Sequence, residues 1–308
     1  MSVETALQLI STIRSLPRPT NGHPNGHERT YGRRLTASES VDTFHEVLAI
    51  RGAEPELLEL FACWLQEFVL RGDRVGGPDV DALVERLVIA KHPFAQLPLY
   101  LLPIERAEPL PLDDWEWQHM PTKIDMHDAI AIEPHPQLRS LHDDGQLFAW
   151  EFEARAFTLD PPMQRPPDSE LLRALDLQSI VGSAIPEQVA PHLALSTRGP
   201  ITLHVAAATF EQVLRTMTFY ARKGNAWEGF PSNAYARCYV WRTLAAFAGL
   251  SRDASIHDVA AIGERAFWSL FLADNTWFAR FGWDYAVAGI SPDGVTLNVI
   301  AGTDRDDV

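Results

Sequence analysis

The closing stretch of the chain, Trp277–Val308, reads WFARFGWDYAVAGISPDGVTLNVIAGTDRDDV. Two runs of alternating residues flank Ser291-Pro292-Asp293-Gly294, where proline presets the φ of a type I turn and glycine supplies the positive φ of a following bulge. The pattern predicts an antiparallel β-hairpin. With Ser291 facing Val295 across the loop, Trp283, Tyr285 and Val287 share a buried face with Leu297, Val299 and Ala301. Asp284, Asp304 and Asp306 then share the other face, with Asp284 and Asp304 as diagonal neighbours roughly 7–8 Å apart. At that separation one carboxylate raises the pKa of the other, or the two hold a divalent cation. A solvated hairpin end with a frayed acidic tail would carry the same residues.

Upstream, residues 146–160 alternate cleanly, with Phe148, Trp150, Phe152, Ala154 and Ala156 on one side and Glu151, Glu153 and Arg155 on the other, the mark of a half-buried strand. Helices are predicted at about 168–180, 206–222 and 232–249, and another begins at Ser255, which forms a capping-box pattern with Asp258. The βαβ rhythm of a parallel sheet is missing, so the fold class expected is α+β, with helices packed on a small antiparallel or mixed sheet that ends in the hairpin. Toward the amino terminus, apolar spacing predicts helices around Val3–Ile13, Val41–Leu48, Leu57–Phe68 behind Pro55 and Val80–Val88 behind Pro78. Prolines and the near-duplicate Asn-Gly-His steps predict a mobile loop over 17–36. The expected organisation is a helical region over 1–105, a connector rich in proline, acid and histidine over 106–145, and an α+β domain over 146–308.

Among 308 residues, 41 are acidic and 26 basic, a net charge of −15. Such a surface repels phosphate backbones and anionic lipid, so neither nucleic acid nor membrane is an expected partner; it can serve a basic protein partner or mimic nucleic acid, while its commoner meaning is solubility. The arginine and alanine bias points to a GC-rich bacterial genome. The first residues lack a basic n-region followed by an apolar core, and no apolar run reaches membrane-spanning length, so the expected compartment is the cytoplasm. Cys63 and Cys238 have no ligand spacing and are expected as buried free thiols.

The blocks FEARAFTLDPP, SNAYARCYVWRTLAAFAGL and WFARFGWDYAVAGISPDGVTLNVIAGTDRDD together resemble an uncharacterised bacterial family of unknown function. Its members similarly end in an aromatic block with a Trp-Asp pair, a turn, a hydrophobic strand and a Thr-Asp-x-Asp tail. The resemblance covers roughly 146–307 and singles out Trp283, Asp284, Thr303, Asp304 and Asp306 as the candidate site. It implies no activity or cofactor.

Weaker candidates lie elsewhere. The connector gathers His119, His127, His135 and His142 near Asp125, Asp128 and Glu133, without any compact metal-ligand spacing; Asp125, His127 and His135 are its strongest members. Arg237 sits on a helix behind a glycine-containing loop, a place where anions bind. GxGxxG, GxxxxGK[ST], GxSxG and CxxC are all absent. The expected function is therefore an acidic binding or interaction protein, of accessory or immunity type in bacterial conflict, with no cofactor. The alternative is a metal-assisted hydrolase in which Asp284, Asp304 and Asp306 ligate a divalent cation and a connector histidine is the general base.

Overall fold

Proline and glycine punctuate the helices as their positions in the sequence suggest. In the computed structural model, which describes residues 3–15, 26–107, 128–132, 151–174, 203–223, 232–273 and 284–303, the chain divides into two units. The first comprises Met1–Arg106 with Phe230–Cys238, and the second Ala107–Gly229 with Tyr239–Val308.

The first unit holds α1 (Val3–Ser15), α2 (Gly26–Ser38), α3 (Val41–Arg51), α4 (Leu58–Arg71) and α5 (Pro78–Ile89). Pro55 opens a 3-10 turn leading into α4, and Gly72 closes that helix at φ +89°, its N–H reaching the carbonyls of Phe68 and Val69. Helix α4 is the spine, buried continuously from Leu60 to Val69. The rings of Phe44, Phe61, Trp64 and Phe68 pack around it, Phe44 edge-on to Trp64 with centroids 5.1 Å apart.

Helix α2 corrects an expectation, because residues 26–38 are helical where the sequence predicts a loop over 17–36; residues 17–25 lie outside the described residues. Its composition is poor in helix formers, and tertiary packing overrides that weakness. A Cβ on Gly32 would lie 2.6 Å from the Cβ of Cys63, so glycine here lets α2 approach α4 at backbone distance. The buried hydroxyl of Thr36 donates to the carbonyls of Gly32 (3.0 Å) and Trp64 (3.3 Å), and Leu35 is buried beside it.

The second unit is built on β1 (Asp128–Ile132), β2 (Glu151–Asp160), β3 (Leu203–Ala208), β4 (Phe267–Ala273), β5 (Asp284–Ile290) and β6 (Thr296–Thr303). They form one six-stranded sheet in the order β1-β2-β6-β5-β4-β3, antiparallel at every pairing. Its helices are α6 (Ser169–Ala174), α7 (Phe210–Lys223), the part of α8 (Asn233–Phe247) beyond Cys238, and α9 (Ile256–Gly263). The protein is α+β. Strand β3 replaces the first turn of the helix predicted at 206–222. Its alanines read as helical, whereas the capping box that starts α7 lies further on: Gln212 N–H donates to Thr209 Oγ1 (3.2 Å) and Thr209 N–H to Gln212 Oε1 (2.8 Å). The predicted cap at Ser255 is present, its Oγ accepting from His257 N–H at 3.2 Å.

The hairpin forms, with a register one residue away from that predicted. Asp284 pairs with Thr303 and Ile290 with Leu297, and Ser291 N–H reaches Thr296 O (2.8 Å), so the loop runs from Pro292 to Val295. The reason lies in side chains. Ser291 Oγ accepts Thr296 N–H (2.9 Å), Asp293 Oδ1 accepts Val295 N–H (3.1 Å), and Val295 O is taken by Leu159 N–H of β2 (2.7 Å), leaving Val295 no place in the ladder. The hairpin is also central to the sheet, and β5 is buried along its whole length, so no solvated face exists there.

One sheet face carries Tyr285, Val287, Gly289, Asn298, Ile300 and Trp268, and α7 and α8 cover it. Tyr220 stacks on Tyr285 (5.1 Å), Phe210 and Phe247 meet Trp268 (5.8 and 5.6 Å), and Asn298 Nδ2 donates to Phe247 O (2.9 Å). Gly289 lies across from Trp268, where an added Cβ would come within 2.5 Å of the indole ring. Gly289→Ala is expected to destabilise by about 1–3 kcal/mol through overpacking. Urea unfolding of the two proteins reads it directly, and an unchanged midpoint would show that the Trp268 ring shifts freely.

Candidate functional site

The corrected register rearranges the predicted site. Asp284 stands directly opposite Thr303, and it is buried, 7% exposed, instead of lining a solvated hairpin mouth. Trp283, Asp304 and Asp306 lie outside the described residues, as do Asp125, His127 and His135. Of the candidates, Asp284 and Arg237 thus have described side chains. Among the described residues no group of three or more His, Cys, Asp or Glu is arranged to hold a metal ion.

Arg237, on the first turns of α8, is not placed for an external anion. Its Nε and Nη2 grip both oxygens of Glu105 (2.7 and 2.9 Å). Nη1 donates to Gln66 Oε1 (2.9 Å) and Pro98 O (3.2 Å), and Nη2 also to Tyr100 O (2.9 Å). All five guanidinium protons are committed to protein acceptors. Neighbouring Glu67 caps the same helix, accepting from Ser232 Oγ and Ala234 N–H (both 3.0 Å) and from Asn233 Nδ2 (3.3 Å). A carboxylate there satisfies open amides and faces the positive end of the helix.

The densest ionisable constellation centres on Glu59, a residue the sequence gave no individual reason to select. Its Oε1 accepts from Tyr235 OH (2.7 Å), Arg29 Nε (3.3 Å) and Cys63 Sγ (3.5 Å), and its Oε2 meets His92 Nε2 at 3.3 Å. The Arg29 guanidinium lies 3.7 Å over the Tyr235 ring. His92 Nδ1 accepts Phe94 N–H (3.2 Å), which assigns the ring proton to Nε2 and makes it a donor to Glu59. A signal did exist: Glu59, Cys63, Gln66 and Glu67 recur at helical spacing inside the apolar run of α4, and polar groups on a buried stripe require partners.

These groups have cysteine, histidine, tyrosine and carboxylate in contact, yet their protonation states are those of a lock. Burial pushes the Glu59 carboxyl upward, but hydrogen bonds from His92 and Tyr235 and the Arg29 charge outweigh it and bring the pKa down to about 2. A base that weak takes no proton near neutrality. Burial, then the adjacent Glu59 charge, raises the Cys63 thiol well above its ordinary range, and the same two causes raise the Tyr235 phenol. Cys63 is therefore a packed thiol without nucleophilic character, as the sequence predicts.

The described residues accordingly define an α+β protein with a helical unit whose buried carboxylates bind α2, the 92–94 turn and the start of α8 to α4. The chain belongs to the Family of unknown function (DUF6183), whose model matches residues 1–306. Membership thus extends beyond the 146–307 segment that carries the sequence resemblance and includes the helical part. No curated protein and no solved structure matches the chain.

Proposed function

We propose that this is an acidic bacterial protein of the cytoplasm that binds a basic protein partner through its helical unit, as an accessory or immunity-type factor. The observation that carries this reading is where large apolar side chains remain exposed. Among the described residues they are Ile50 (60%), Val88, Ile89 (75%) and Tyr100, all in the first unit. Arg86 Nη2 donates to Glu54 O (3.1 Å), which joins the last turn of α5 to the bend after α3. Ile50 lies four residues before that junction, and Val88 and Ile89 two and three residues after it. The exposed positions Asp42, Glu46, Glu56, Asp79, Asp81 and Glu85 add negative charge to the same helices and turn. Apolar anchors with an acidic surround suit a partner of opposite charge, the charges guiding encounter and the anchors supplying affinity. Support for the compartment is that no helix among the described residues is long and apolar enough to cross a membrane.

The test is retention of proteins from an extract of the source bacterium by the immobilised full chain, compared with the double variant Ile50→Asp, Ile89→Asp. Both positions are exposed, so the variant should unfold within about 0.5 kcal/mol of the parent per site. A basic protein held by the parent, released by raised salt and absent from the variant is the expected result. Identical retention by both chains, or none by either, overturns the reading.

A further inference from the structure

Three arginines are buried among the described residues, and two of them are paired, Arg29 with Glu59 and Arg237 with Glu105. Arg242 differs. It is 8% exposed, its Nη1 has no hydrogen-bond partner, and no ion pair involves it among the described residues. The positions one helical turn away on α8 are Cys238, Tyr239, Ala245 and Ala246, none of them a carboxylate. In a chain with 41 acidic side chains, a partner would be easy to supply. A guanidinium keeps its proton in proteins, so it cannot escape the cost of burial by neutralising, as a lysine can. A buried charge without a partner among the described residues is what a binding residue awaiting its counter-ion would present.

We infer that Arg242 is the anchoring residue of a site in the second unit for a small ligand bearing an oxyanion, carboxylate or phosphate. The guanidinium presents a planar fork that matches either group in bidentate fashion. Among the described residues the second unit contains more unused polar capacity. Thr216 Oγ1 on α7 and Asn298 Oδ1 on β6 are buried and also lack hydrogen-bond partners. Both elements adjoin α8: Phe210 of α7 packs on Trp241 (6.2 Å), and Asn298 Nδ2 holds Phe247 O. This site is independent of the exposed helical anchors proposed for partner binding, so failure of one reading leaves the other standing.

Thermal unfolding of the full chain in chloride, and then in inorganic phosphate or citrate at equal ionic strength, tests the site. The parent is expected to gain about 4 °C at a hundredfold excess over Kd with at least one of the two anions. A gain with phosphate alone assigns a phosphate ligand, and a gain with citrate alone assigns a carboxylate. Arg242→Met is expected to unfold no earlier than the parent in chloride, since it removes an uncompensated charge, and to lose the anion-specific gain. General salting-out stabilisation acts on both proteins alike and cancels in the comparison. Arg242→Lys, which keeps the charge without the fork, should weaken anion binding at least tenfold in calorimetry. An anion gain absent from the parent, or the same in parent and variants, overturns the site.

Discussion

Replacing Glu59 by alanine should destabilise the helical unit by about 3–5 kcal/mol, because it removes the acceptor that a buried cation and two further buried donors share. Arg29 loses its ion pair at 3.3 Å, His92 Nε2–H its acceptor, and Tyr235 OH its bond of 2.7 Å. Acid should produce a related effect in the unaltered protein. The Glu59 carboxyl is depressed in the fold to about 2 from an ordinary value near 4.5. A depressed carboxyl contributes stability that is fully present above the unfolded pKa and is lost as pH falls through the folded one. The contribution is about 3 kcal/mol, lost progressively between about pH 5 and pH 2. Urea titrations at several pH values in this range, for the parent and for Glu59→Gln, measure it. The parent should lose stability more steeply with acid than the glutamine variant, whose side chain does not titrate. Parallel curves would mean that Glu59 is not ionised in the fold.

How much of this was legible in sequence depends on where each pattern draws its meaning. Hairpin, strand β2 and the proline-led helices follow from local rules: the Pro-Asp-Gly turn, a strand over 151–160, and Pro55 and Pro78 at helix starts appear as expected, although Ala156 and Phe157 are both buried where strict alternation would expose one of them. The register did not follow, because it is set by Ser291 Oγ and by Leu159 N–H, a side chain and a distant strand acting on backbone groups the turn rules assign to the ladder. Helix α2 was illegible for a similar reason, since its stability comes from α4 and not from its own composition. The candidate site divides likewise. Asp284 was selected on the premise that one hairpin face is solvated, and that premise fails once the strands are central. Glu59 was hidden because one carboxylate within an apolar helix looks like an exposed position until its distant partners Arg29 and Tyr235, 30 and 176 residues away, are known.

Arg237→Ala should be as damaging as the loss of Glu59, and the partners left behind explain why. Removing the guanidinium takes the Arg237 charge away from Glu105, and takes a donor away from Gln66 Oε1 and from the carbonyls of Pro98 and Tyr100. The pair is almost fully enclosed, with side-chain exposures of 3% and 7%, so solvent screening offers little relief and about 3–5 kcal/mol is expected. Lysine is no rescue, because a single ammonium cannot hold two carboxylate oxygens, an amide and two carbonyls in one plane. The interaction itself is isolated by a cycle with Glu105→Gln. Glu105 also receives Leu102 N–H at 2.8 Å, and glutamine retains an oxygen for that bond, so the single change mainly removes the charge. The double variant Arg237→Ala, Glu105→Gln should then cost less than the sum of the two single changes by about 1–3 kcal/mol, since neither protein group is left as an unpaired buried ion. Urea unfolding of the four proteins at neutral pH provides the comparison, and additivity within about 0.5 kcal/mol would show that Arg237 and Glu105 stabilise the fold separately, through packing and backbone contacts and not as a pair.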